Sequence, residues 1–250
     1  MMSKPTLLLL PGTLCDATLF AHQTAYLADT ALCVVADVAR FDTLEATAED
    51  VLRQAPERFA LAGLSYGGIV ALEIMRRAPQ RVTHLALLNT NPRAASEEVK
   101  ARQQRFVGMA VLGELREITT DFLKDMMLHP DHRRDQALRQ RVLAMAENIG
   151  LAGFINQVRA QLARPDSTPF LAQIPCPTLV LCGREDQVCP LALHEDMAQR
   201  IPNARLVIVE HCGHLSTLEQ PEIVTAALRD WLRGVGIWQP TPPLKINAYR

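Results

Sequence analysis

Six short runs along the chain are almost continuously apolar: "TLLLLPG" (6–12), "LCVVADV" (32–38), "FALAGLS" (59–65), "THLALLNT" (83–90), "PTLVLCG" (177–183) and "ARLVIVE" (204–210). No hairpin turn joins any two of them, so each reads as a strand buried on both faces. Between them lie segments with apolar residues at helical spacing, including 67–81, 190–201 and 221–235, the last with Pro221 in its first turn. Strand and helix in alternation predict a mostly parallel sheet of about six strands with helices on both faces.

The alternation stops once. From Asn91 to Ile174 the pattern holds only helix-like segments, at 96–112, 114–128, 135–148 and 151–163, punctuated by "HPDH" and "RPDSTP". This predicts a helical insertion: a core of 1–90 and 175–235, a helical cap of 91–174, and a C-terminal extension of 236–250. That last stretch carries three prolines and no period, as expected of an extended arm or a disordered tail.

Composition narrows the classes of function. A chain of 250 residues suits one large domain, or one domain with an insertion. Acidic residues number 27 against 26 basic, for a formal charge of −1, and no run of like charge occurs, so neither nucleic acid nor a membrane surface is an expected partner. The opening "MMSKPTLLLLPG" has too short an apolar stretch for an export signal or a membrane span, which makes a cytoplasmic location the expectation. Cys15, Cys33, Cys176, Cys182, Cys189 and Cys212 lie in or beside apolar runs and read as reduced, mostly buried thiols. No cofactor is expected, and nothing in the sequence bears on oligomeric state.

The chemistry is concentrated in "LAGLSYGGIVALEI" (61–74), where one of only five serines stands between a strand and a helix. Ser65 is the centre of Gly63-Leu64-Ser65-Tyr66-Gly67, a G-x-S-x-G. A nucleophile projecting from so sharp a turn needs glycine two residues to either side, because side chains there would strike the adjoining strand and helix. Serine needs a base to take its proton, and the base needs an acid to orient it. "REDQVCP" after the fifth run supplies Asp186, and "HCGHLSTLEQPE" after the sixth supplies His214. Ser65, Asp186, His214 is the chain order used with such an elbow, and all three sit at carboxyl ends of strands, where open α/β sheets build their sites. Glu185 is the rival acid, expected to point away once Asp186 points in. His211 is the rival base, disfavoured because Gly213 gives the backbone freedom to bring His214 over the serine. The strand "THLALLNT" ends in Asn89, Thr90 and Asn91, with no carboxylate there.

Acyl transfer also needs donors for a developing oxyanion. The backbone N–H of Tyr66, on the first turn after the nucleophile, is one. The other is expected from the "PGT" loop, from Thr13, with Leu14 as the second choice. His211-x-x-His214 and His129-x-x-His132 have the spacing of metal half-sites, but no set of further ligands accompanies them in sequence, so no metal is assigned.

With "LLPGTL", "GLSYGG", "LVLCGREDQVCP" and "HCGHLSTLEQPE" in this order, nearly the whole chain resembles the α/β-hydrolase fold family. Within it, the "GLSxGG" elbow, the "GHLSTLEQP" loop and the helical insertion resemble small bacterial hydrolases related to 3-oxoadipate enol-lactonases and pimeloyl-ester carboxylesterases. The resemblance implies hydrolysis of a carboxylic ester or lactone. Pro11 stands where many members carry histidine, and the chain starts almost at its first parallel strand, without the antiparallel hairpin common in the family. Two other readings remain at this point: a carbon–carbon bond hydrolase or lyase using the same triad, and a ligand receptor that keeps the triad but uses the lid to recruit a partner. A serine at the elbow excludes the alkyl-enzyme chemistry of relatives that need aspartate there. Leu14, Met109, Leu112, Met126, Met127 and Phe154 are the candidates for an apolar substrate pocket. Arg105, Arg159 and Arg164 are candidate partners for a substrate carboxylate, weighed against an ordinary solvated helix face.

Overall fold

The computed structural model describes residues 4–122 and 126–235. Its six strands are β1 (Thr6–Leu10), β2 (Leu32–Val35), β3 (Phe59–Leu64), β4 (Val82–Leu88), β5 (Thr178–Gly183) and β6 (Ala204–Val209). They form one parallel sheet in the order β2-β1-β3-β4-β5-β6.

Alternation along each strand sorts side chains onto two faces. Leu7, Leu9, Ala60, Ala62, Leu64, Ala86 and Leu88 pack on one side, against α1 (Ala21–Tyr26) and α8 (Pro221–Leu232), through Leu27, Leu228 and Trp231. Leu8, Leu10, Phe59, Leu61, Leu85 and Leu87 pack on the other, against α2 (Leu44–Gln54), α3 (Tyr66–Arg77) and α7 (Leu191–Arg200). Burial on both faces holds for β3 and β5 throughout, but not for the edge strands. In β2, Leu32 and Val34 are exposed while Cys33 and Val35 face the core, because an edge strand is covered on one side only.

Between β4 and β5 the chain is helical: α4 (Glu97–Val111), α5 (Leu115–Phe122) and α6 (Gln136–Ala163). Ser96 caps α4 by accepting from the N–H of Val99, and Asp135 caps α6 by accepting from that of Leu138. The two helices expected at 135–148 and 151–163 are both present within α6, separated at Gly150, whose non-helical backbone of φ 66° and ψ −177° is one that glycine alone adopts without strain. Ala110, Ile118, Phe154 and Val158 form a small core of their own, to which Leu14 of the β1 exit loop is added. Residue ties bind this layer to the sheet: Asn156 Nδ2 donates to the carbonyl of Ala39, and Asn148 Nδ2 to Asp16 Oδ2. The expected extension at 236–250 lies outside the described residues. No helix among the described residues is long and apolar enough to cross a membrane.

Candidate active site

Ser65 sits between β3 and α3 with φ 55° and ψ −115°, a left-handed backbone that costs a non-glycine residue about 1–3 kcal/mol and persists because its surroundings dictate it. Those surroundings explain the glycines. A Cβ on Gly63 would lie 2.2 Å from the carbonyl oxygen of Gly67, and one on Gly67 would lie 1.9 Å from that of Leu10. The turn is held from beneath by Thr90, whose hydroxyl donates to the Ser65 carbonyl at 2.7 Å. Thr90 in turn gives its N–H to His194 Nε2 at 3.0 Å. Burial lowers the His194 pKa to about 4, so the ring is neutral and donates from Nδ1 to the carbonyl of Pro190.

Ser65 Oγ lies 2.9 Å from His214 Nε2, and His214 Nδ1 lies 2.9 and 3.0 Å from the two oxygens of Asp186. A carboxylate only accepts, so Nδ1 carries the proton and Nε2 is left as the acceptor for the serine hydroxyl. Asp186 is buried. Burial pushes its carboxyl up, but the facing His214 ring, its Nδ1–H, the N–H of Cys189 and the amide of Asn89 together hold it below the usual carboxylate range.

Asn89 is the residue that sequence reasoning passed over. Its Nδ2 donates to Asp186 Oδ2 and to the Gly213 carbonyl, while its Oδ1 accepts from the Ser216 hydroxyl. Its φ of 45° is a conformation that asparagine tolerates better than most residues. The sequence shows that no carboxylate stands at this strand end, but not that the amide there holds the acid on the next strand.

Glu185 does turn away from the histidine, and its Oε2 accepts from the N–H of Cys212. His211 also lies elsewhere: its ring packs edge-on to that of His129, with centroids 5.6 Å apart. Of the two half-sites offered by sequence, His211-x-x-His214 is not formed, because both ring nitrogens of His214 are held by Ser65 and Asp186, whereas the rings of His129 and His132 stay together with centroids 5.6 Å apart. Ligand atoms of His129, Asp131 and His211 lie within 4.8 Å of one another, but Asp131 and His211 are exposed, and His129 Nδ1 already accepts from the Asp131 N–H. Gly213 is glycine for a different reason from the one expected. Its φ is not left-handed; a Cβ would meet the carbonyl oxygen of Met127 at 2.7 Å and the N–H nitrogen of His129 at 2.8 Å. Met127 accepts from the His214 N–H at 2.7 Å, so the inserted segment presses directly on the histidine loop. Glu219 clamps the same junction, receiving the N–H groups of Gly213 and Leu215 on one oxygen and that of His129 on the other.

Thr13 lines the cleft beside Ser65, and a Cβ on Gly12 would lie 3.4 Å from that of Ser65. Tyr66 opens α3, so its N–H has no acceptor within the helix. Leu14 is ruled out as the second donor: its N–H is given to Gln157 Oε1 of α6 at 2.9 Å. Cys15 beside it is buried, which together with neighbouring Asp16 pushes its thiol up to about 12 and leaves it protonated.

A cavity of about 100 Å³ opens on Ser65 and His214, bounded by Leu14, Phe106, Ile118, Met127, Val142 and Phe154. Three of the six expected pocket residues, Leu14, Met127 and Phe154, are thus brought to the serine. Leu112 is not: it ends α4 and is 79% exposed. Met109 packs into the small helical core, and Met126 is half-buried outside the cavity wall. Arg159 pairs with Asp42 at the surface, Arg164 donates to the carbonyls of Arg93 and Gln161, and Arg105 is exposed. The arginine that reaches the cavity is Arg102, signalled by its i, i+4 spacing to Phe106 on the same helix face.

A strained serine on a strand–helix turn, a buried histidine and carboxylate from later strand exits, and a helical layer above them define a class. The chain belongs to the α/β hydrolase fold family, whose model matches residues 6–221, and it is an enzyme of ester-hydrolysing type. Among proteins, it is 32% identical over 212 residues to the pimeloyl-[acyl-carrier protein] methyl ester esterase of Aromatoleum aromaticum, covering 78% of this chain and 82% of that one. It is 29% identical to the enzyme of the same name from Nitrosomonas europaea, covering 72% and 74%. Among solved structures, a thermophilic esterase from Thermogutta terrifontis with malate bound matches at a TM-score of 0.87 and 30% identity, covering 93% of this chain and 91% of that one. The enol-lactonase of Burkholderia xenovorans shares the fold, with a TM-score of 0.84 at 23% identity, covering 93% and 92%.

Proposed function

We propose that this enzyme cleaves a small carboxylic ester or lactone through an acyl-enzyme, with Ser65 as nucleophile, His214 as base and Asp186 as orienting acid. The observation that carries this reading is the unbroken chain from Ser65 Oγ through the His214 ring to Asp186, with both hydrogen bonds at 2.9 Å, at the floor of the cavity. Ser65 Oγ attacks the ester carbonyl while its proton passes to His214 Nε2. The carbonyl oxygen becomes an oxyanion, received by the backbone N–H groups of Thr13 and Tyr66. Collapse expels the alcohol, which takes the proton from His214. Water then attacks the acyl-enzyme, giving a proton to His214; as Ser65 leaves it recovers that proton, and the acid is released. A lactone is an ester closed on itself, so ring opening follows the same path.

Helices of 91–174 act in this reading as the cap that walls the acyl site. Support for the substrate class comes from relatives named for a methyl ester and from the malate-bound esterase at 30% identity. The test is a panel of methyl and p-nitrophenyl esters of increasing acyl length, with simple lactones, run beside Ser65→Ala. Hydrolysis of short esters by the wild type, reduced at least a thousandfold in Ser65→Ala, is expected; equal rates in the two proteins would overturn the reading.

A further inference from the structure

The cavity over Ser65 has mostly apolar walls, and the polar groups in them are largely engaged. Thr119 donates its hydroxyl to the carbonyl of Leu115, and Gln161 donates to the Thr13 hydroxyl. Arg102 and Gln103 are different. Both line the cavity from α4, one turn before Phe106, which places all three on the helix face turned to the site. Arg102 Nε and Gln103 Oε1 are shut off from solvent and have no hydrogen-bond partner. Among the described residues no salt bridge with Arg102 occurs, and among those of them that line the cavity it is the one permanently charged side chain. Arg105, three residues after Arg102, is exposed and lies over the Phe106 ring at 5.9 Å.

Buried donors are nearly always paired, and a cationic one left without an acceptor is costly. A guanidinium in an apolar cavity is matched best by a carboxylate, whose two oxygens fit the N–H fork. Gln103 adds an amide whose N–H₂ and C=O ends exchange by a half-turn, so it can donate to the same carboxylate.

Resting on the hydrolase reading above, we propose that Arg102, assisted by Gln103, is a carboxylate subsite, and that the substrate's acyl part carries a carboxylate distal to the ester bond. The acyl chain then runs from Ser65 along Phe106 and Phe154 to the guanidinium. An anchor on the acyl side stays in contact through both half-reactions, whereas one on the alcohol side is lost when the alcohol departs.

The test compares two matched esters at neutral pH, monomethyl glutarate and methyl pentanoate, in which a carboxylate replaces a methyl group. The wild type is expected to favour monomethyl glutarate in kcat/KM by about ten- to a hundredfold, the range of a hydrogen bond to a charged group. Arg102→Met, which keeps the stem, should bring the ratio close to one, while Arg105→Met, which removes the same charge outside the cavity, should keep the wild-type ratio. Calorimetric binding of glutarate to Ser65→Ala, lost on adding Arg102→Met, is the readout that does not depend on turnover; circular dichroism checks that the variants fold. A wild-type ratio of one or less, or equal changes in the two arginine variants, overturns the subsite. If neither ester is hydrolysed while glutarate still binds through Arg102, the hydrolase reading fails and the subsite stands; if glutarate does not bind to Ser65→Ala, the subsite fails.

Discussion

Asn89 donates its side-chain amide to Asp186 at 3.0 Å from the end of the neighbouring strand, in a left-handed conformation with φ 45°. The bond fixes the carboxylate that fixes His214. Asn89→Gly keeps the backbone freedom and removes the amide, so it separates the two roles. A fall in kcat of about tenfold, with KM little changed, is expected from the loss of one charge-assisted bond. Wild-type kcat in Asn89→Gly would mean that only the backbone conformation matters.

Replacing the acid itself costs more. Asp186→Asn puts an amide where Nδ1–H must donate, and the resulting wrong tautomer costs on the order of 10⁴ in kcat in the serine-protease case. Glu185→Gln, whose carboxylate receives the Cys212 N–H and lies 3.9 Å from His129 Nε2 but does not reach His214, should stay within severalfold of the wild type. Kinetics of the two variants side by side check the assignment; the reverse pattern would transfer the role to Glu185.

His194 makes the fold sensitive to acid. Its pKa is lowered from 6.5 to about 4 in the folded protein, so between these values the unfolded chain binds the extra proton. The contribution is fully present above pH 6.5 and is lost as pH falls toward 4, a slope worth roughly 3 kcal/mol across the interval. Urea melts from pH 7.5 to 4 should show this loss, and His194→Asn should flatten it. An unchanged slope in His194→Asn would place the acid sensitivity elsewhere.

Gln157 of α6 holds the Leu14 N–H and so sets the loop that carries Thr13. Gln157→Leu should lower kcat about tenfold for every ester tested, with chain-length ranking kept, because it disturbs the oxyanion donor rather than the acyl wall. Phe154→Ala should do the opposite, shifting the ranking with the smallest acetyl ester least affected. Profiles across the ester panel distinguish the two; identical profiles would contradict the division of roles.

How much of this was legible in sequence depends on the range over which each feature is set. The elbow was legible because Gly63, Ser65 and Gly67 are constrained within five residues by one turn. Asp186 and His214 followed from strand exits, since a parallel sheet brings all its carboxyl ends to one edge. Arg102 was missed and Arg105 considered because helical periodicity places an inward face without stating its phase, and here the phase is set by contact between Phe106 and the core around Leu14. Leu112 was misplaced for a related reason: it caps α4, beyond the last turn that faces the cavity. The pairing of His211 with His129, and the true cause of Gly213, depend on residues 127–129 folding back onto the histidine loop, a contact between distant segments that no local pattern encodes.

The central claim, that Ser65 is the nucleophile, is tested most directly by reacting the protein with a fluorophosphonate and locating the adduct by peptide mass spectrometry. The account predicts a single adduct on the peptide containing Ser65, complete loss of ester hydrolysis in step with labelling, and no adduct in Ser65→Ala. An adduct on another residue, or full hydrolysis by the labelled protein, would contradict it.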